Sequence, residues 1–132
     1  MRPKKPVLIW ASNPDEAGDL SFTMSLHMEW APLPCSTTIE VDEILGLCDL
    51  ALAILITNGQ DGAGGIAERI KRARARCPVL AIARRNRGLI DTRFIDRAIE
   101  EAAGRADLLA VARVLSQRKR GPRKAEQPEV AL

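Results

Sequence analysis

Aromatic residues are scarce in this chain. It has no tyrosine, two phenylalanines and two tryptophans in 132 residues. The core must therefore be built from Leu, Ile, Val and Ala. Histidine is limited to His27, and the three cysteines, Cys35, Cys48 and Cys77, are widely and irregularly spaced with no CxxC pair. One His cannot complete a common zinc set with them, and no spacing supports a redox pair. The thiols read as reduced and buried, which suits the cytoplasm. No metal and no cofactor is called for. No apolar run reaches the roughly 20 residues that cross a bilayer. The start, MRPKKPVLIWAS, is basic like a signal peptide, but its apolar run is short and Asn13, Pro14 and Asp15 follow at once. A cytoplasmic protein without membrane contact is expected.

What is present fits one compact domain. A chain of this length buries roughly two-thirds of its unfolded surface, enough for a core without staples. The net charge is +3, unevenly spread. Arg69, Lys71, Arg72, Arg74 and Arg76 form one cluster, Arg84, Arg85 and Arg87 a second, and Arg118, Lys119, Arg120, Arg123 and Lys124 a third. Such clusters form solvated helix faces or tails, or touch nucleic acid or acidic partners.

Pro6–Ala11, PVLIWA, is a short apolar run and reads as a buried strand. Asn13-Pro14-Asp15-Glu16 is a helix start, with Asn13 as cap and Pro14 at the first helical position. Ala17, Leu20, Met24 and His27 keep helical spacing, so the helix is expected to reach about Met28. Two prolines, Pro32 and Pro34, restrict Leu33–Cys35 to an edge strand. Ser36, Thr37 and Thr38 offer caps for a second helix, with Val41, Ile44 and Leu45 on its apolar face. Leu50–Ile56, LALAILI, has no polar residue and reads as a central parallel strand. Thr57–Gly62 is turn chemistry. A third helix carries Ile66, Ile70 and Ala73, with Glu68 placed to pair with Arg72. Pro78–Ala83 is another apolar strand. Phe94–Glu100 reads as a strand or a helix, and Ala106–Gln117 as a helix. The strand–helix alternation predicts a doubly wound parallel sheet of flavodoxin-like order 2-1-3-4-5.

Three of these stretches resemble bacterial response-regulator receiver domains. VLIWASNPDEA resembles the first strand and its acidic turn, CDLALAILITNGQDG the third strand and loop, and CPVLAIA the fourth strand. The resemblance covers about Pro6–Gln117. It implies a site of five side chains: two acids that hold magnesium, a nucleophilic aspartate, a Ser or Thr, and a lysine. By the resemblance the acidic pair falls on Ala11 and Ser12, the nucleophile on Ile54, the Ser/Thr on Ala83, and the lysine on Glu100, with Glu101 beside it. Ile54 is reached by counting five residues on from Asp49 and eight back from Gly62. None of these residues supplies the family's chemistry. The resemblance therefore implies a pseudo-receiver without catalysis, its fourth helix shortened to a turn around Leu89–Phe94. Glu100 is placed to pair with Arg84 or Arg85.

Other motifs are weak. His27 keeps an apolar helical spacing and has no visible acid partner. Gly59–Gly65 lacks the Lys-Ser/Thr of a phosphate loop, and Asp61 is placed to cap the third helix. The expected function is a phosphorylation-independent protein-interaction module in two-component-type signalling, with a signalling kinase or regulator as partner and Arg84, Arg85 and Arg87 as candidate contacts. The alternative is a small basic nucleic-acid-associated regulator on the same fold.

The chain divides into a receiver-like domain over 1–117 and a basic tail over 118–132. The tail combines five basic residues with two prolines. It buries too little to offset an ordering cost of roughly 1–2 kcal/mol per residue and is expected to be disordered. Deletion after Gln117 is expected to leave the melting temperature unchanged. A truncated protein that melts well below the parent would show that the tail contributes to the fold.

Overall fold

A computed structural model describes residues 3–59, 61–84 and 90–118. Five strands form one parallel sheet in the order β2-β1-β3-β4-β5. They are β1 (Lys5–Ala11), β2 (Trp30–Cys35), β3 (Leu52–Thr57), β4 (Val79–Ala83) and β5 (Arg97–Glu100). Helices α1 (Pro14–Ser25), α2 (Thr38–Leu47), α3 (Ala63–Ala73) and α4 (Arg105–Arg118) cover the two faces. This is the flavodoxin-like arrangement that the alternation of strands and helices predicts.

The sheet is built from the three apolar runs. All six residues of β3 and all five of β4 are buried. Alternation splits their side chains between two cores. Val7, Ile9, Leu52, Ile54 and Leu80 pack under Leu20 and Met24 of α1 and Leu115 of α4. Leu8, Trp10, Leu55 and Val79 pack under Val41 of α2 and Ile66 and Ile70 of α3.

The caps act as the sequence suggests. Asn13 accepts the Asp15 N–H at 2.9 Å. At α2, Glu40 N–H donates to Thr37 Oγ1 and Thr37 N–H donates back to Glu40 Oε1, each at 3.2 Å, a reciprocal capping box. Helix α1 stops at Ser25 instead of reaching Met28. Leu26 N–H turns back to Thr23 O, and the Ser25 hydroxyl donates to Phe22 O at 2.7 Å. The last turn thus tightens, and His27 lies beyond the helix, half-buried in the turn before β2.

The edge strand β2 is longer than Leu33–Cys35, and its prolines are placed by the ladder. Lys5 N–H donates to Glu29 O at 2.9 Å, with Lys5 opposite Trp30. In a parallel ladder alternate residues then face β1. These are Ala31, Leu33 and Cys35, so Pro32 and Pro34 fall in the outward set, where no donor is needed. Cys35 is buried, and desolvation pushes its thiol up to about 12.

Between β4 and β5 the described residues contain no helix. Ile95 N–H bonds to Thr92 O at 3.1 Å, closing a turn at Arg93–Phe94. The segment is pinned by Asp96. Its Oδ2 accepts from Lys71 Nζ of α3 and from the Val79 N–H of β4, both at 2.7 Å. Strand β5 is short and partly exposed.

Ile54 is fully buried at mid-strand. Ile54→Asp is expected to lower stability by several kcal/mol at neutral pH, because no partner offsets the buried charge. The aspartate pKa would be raised in the folded state. The loss should then shrink below about pH 4, where the carboxyl is neutral in both states. Urea unfolding at the two pH values measures this, and a variant as stable as the parent at pH 7 would contradict it.

Candidate functional site at the carboxyl edge of the sheet

In a doubly wound sheet, ligands bind outside the carboxyl ends of the strands. The register defines that edge here. Ala11 stands opposite Ile56, Thr57 opposite Ala83, and Ala83 opposite Glu100. Ala11, Ser12, Ala83 and Glu100 are therefore brought together. Ile54 is not among them: it stands opposite Ile9 and Leu80, two to three residues inside the sheet. Counting back from Gly62 presumes a longer loop. Strand β3 continues to Thr57, so Ile56 and Thr57 occupy the edge.

The floor of the edge is apolar. Ala11 and Ala83 are buried, and Ile56 and Ile82 are nearly so. Ser12 and Glu100 are exposed. The polar groups above this floor are tied to one another. Arg84 N–H extends the ladder to Thr57 O at 2.9 Å. Its guanidinium donates to Glu101 Oε1 at 3.2 Å and pairs with Glu16 of α1. The acid facing Arg84 is thus Glu101, joined by Glu16, and not the Glu100 of the sequence expectation. Arg85 and Arg87 lie outside the described residues.

A second tie closes the β3–α3 loop. The buried Thr57 hydroxyl donates to Asp61 Oδ1 at 2.6 Å and accepts the Gly59 N–H at 2.9 Å. The same carboxylate accepts the N–H groups of Asn58 and Ala63, each at 3.3 Å. Gly59 and Gly62 carry φ values of 90° and 88°, the left-handed conformation this turn requires. Asp61 is therefore a loop clasp as well as a helix-start acceptor. Gln60 lies outside the described residues.

A receiver-type magnesium site does not fit this edge. A hard cation needs several oxygen ligands, and the strand ends offer the methyl groups of Ala11 and Ala83 instead. Of the carboxylates around it, Glu16 and Glu101 are engaged by Arg84 and Asp61 by the loop. Among the described residues no three His, Cys, Asp or Glu side chains are grouped to hold a metal.

Two hollows flank Arg84. One, of about 320 Å³, lies toward Ser12, Asn58 and Asp61. The other, of about 400 Å³, lies between α1, β5 and α4, over Leu20, Ile56, Ile82, Ile99 and Leu108.

The α3 basic cluster is largely paired within the domain. Arg69 reaches Asp42 at 3.1 Å, Lys71 reaches Asp96 at 2.7 Å, and Arg72 Nε reaches Glu68 at 2.9 Å. Arg74 donates to Leu45 O at 2.7 Å.

Glu16 and Thr57 escaped sequence reasoning as site residues. Their signals were present: Glu16 sits in the first turn of a capped helix, and Thr57 is the first polar residue after the longest apolar run.

No protein-family model and no curated protein matches the chain. Solved structures do match in fold. The signal receiver domain of an HD domain-containing protein from Pseudomonas fluorescens superposes with a TM-score of 0.78 at 14% identity, covering 95% of this chain and 96% of that one. A chain of adenylate cyclase from Rhodopirellula baltica gives 0.75 at 12%, covering 98% and 100%. The response regulator TrrA of Thermotoga maritima, in complex with Mg²⁺ and BeF, gives 0.69 at 14%, covering 84% and 98%. TrrA is also seen in complex with the histidine kinase ThkA. The class defined is a domain with the receiver fold, shared with CheY-like proteins.

Thr57→Val removes a buried hydroxyl and leaves the Gly59 N–H without its acceptor. It is expected to cost about 1–3 kcal/mol in chemical unfolding. Arg84→Ala removes partly exposed pairs and should cost only about 0–1 kcal/mol. The reverse order would mean that the Arg84 bridge, not the Asp61 clasp, holds the edge together.

Proposed function

We propose that this chain is a non-catalytic, phosphorylation-independent receiver-like module that binds a protein partner in two-component-type signal transduction in the cytoplasm. One observation carries the reading. The ends of the central strands at the carboxyl edge present Ala11, Ile56, Thr57 and Ala83, and among the described residues Arg84 of the chain itself lies above them. A phosphoryl-accepting edge needs a strand-end carboxylate that can reach solvent and a metal. Here Asp61 holds the loop, Glu16 and Glu101 hold the Arg84 bridge, and Glu100 ends the short edge strand β5 and not β1 or β3. In this reading Ala11, Ser12, Ile56, Ala83 and Glu100 are what remains of a phosphorylation site, with Ile54 beneath it.

The likeness to TrrA, which binds a histidine kinase, supports a signalling protein as partner. The pairing of Arg69, Lys71 and Arg72 within the domain weakens the alternative of a nucleic-acid-associated regulator, because paired cations release fewer counterions on duplex binding. The adenylate cyclase chain shares the fold, and the Thr57 hydroxyl, the only one buried at this edge among the described residues, is enclosed by Asp61 and Gly59.

Incubation with acetyl phosphate and magnesium is expected to leave the intact mass unchanged. A base-labile phosphoryl adduct would sink the proposal.

A further inference from the structure

Asn58-Gly59 is the single Asn-Gly step of the chain, and it follows directly on the last residue of β3. At such a step an asparagine loses its carboxamide readily, because glycine puts no side chain in the way of ring closure. The reaction needs only water and base. Base takes the proton of the Gly59 N–H, and the nitrogen attacks the side-chain carbonyl carbon of Asn58. The carboxamide C–N bond breaks and ammonia leaves, which closes a succinimide ring. Water then opens the ring to aspartate or to isoaspartate. Asn13 is barred from this route, because Pro14 follows it and has no N–H. Asn58 is exposed, so solvent reaches it.

The loop opposes the first step. The Gly59 N–H donates to Thr57 Oγ1 at 2.9 Å, and losing its proton ends that bond. The Thr57 hydroxyl hydrogen is committed elsewhere, to Asp61 Oδ1 at 2.6 Å, so the oxygen is held as an acceptor for Gly59. The Asn58 N–H donates to Asp61 Oδ2 at 3.3 Å. A carboxylate is thus fixed beside the step, and a second negative charge on the Gly59 nitrogen is disfavoured there. We propose that the Thr57–Asp61 clasp is a chemical guard that keeps Asn58-Gly59 from deamidating in the folded domain. Asn58 lines the hollow with Ser12, Asn13 and Asp61. Loss of the guard would place a new carboxylate in that hollow, and isoaspartate would also reroute the loop backbone through the former side chain. The chemistry needs no partner, so it holds whatever the domain binds.

Peptide mapping by mass spectrometry follows deamidation at Asn58 in the full chain, folded and unfolded in guanidinium chloride, at the same mildly alkaline pH. The folded chain is expected to react about tenfold more slowly or less, since reaction must wait for a local opening that breaks the loop's hydrogen bonds. Thr57→Val removes the acceptor and should speed the reaction of the folded protein about threefold or more. Thr57→Ser keeps the hydroxyl and should stay near the parent rate. Thr37→Ala removes the α2 cap, away from this loop. It controls for lost stability and should also stay near the parent rate. A folded chain that reacts as fast as the unfolded one would overturn the proposal, as would Thr57→Val reacting no faster than Thr37→Ala or Thr57→Ser. If Thr57→Val does not fold, hydrogen exchange at the Gly59 amide of the parent decides. Slow exchange upholds the guard, and exchange at the unfolded rate overturns it.

Discussion

Burial of β3 on both faces is the constraint from which the rest of the domain follows. Leu52–Thr57 has no exposed side chain, so the sheet needs a cover above and below. Parallel pairing with β1 and β4 supplies crossovers, and the crossovers supply the helices. At roughly 25 cal/mol per Å² of apolar surface, this shared burial outweighs any single ion pair at the rim. The strand also fixes where the carboxyl edge of the sheet lies. Because β3 runs to Thr57, the loop before α3 is short, and Asp61 can reach back to close it.

The strands were legible because apolar runs bounded by turn residues leave few alternatives. PVLIWA, LALAILI and PVLAIA each became a strand of the sheet. Asn13 and Thr37 marked their helices because caps are local chemistry. The misreadings concern distances between elements. The end of α1 depended on Ser25 and Leu26 bonding back into the last turn, which periodicity does not record. The level of Ile54 depended on how far β3 continues, and a residue count across a loop carries no register. The partner of Arg84 depended on helix α1 passing over the sheet edge, which brings Glu16 there from 68 positions away.

The two ties at the edge differ in kind. The Thr57–Asp61 clasp is short-range, buried and part of the backbone path of the loop. The Arg84 bridge is long-range and partly open to water. It joins α1, the end of β4 and the turn after β5. Solvent meets the bridge before it meets the clasp.

The prolines of β2 have a consequence for association. Open-ended growth of a sheet from molecule to molecule uses two edges of each copy, one to receive and one to donate. Pro32 and Pro34 remove two hydrogen-bond donors from the outward row of one edge. A second molecule can then add at most to the opposite side, and such a pair has no further edge to offer. A single blocked rim is then enough to make fibre-like stacking self-terminating.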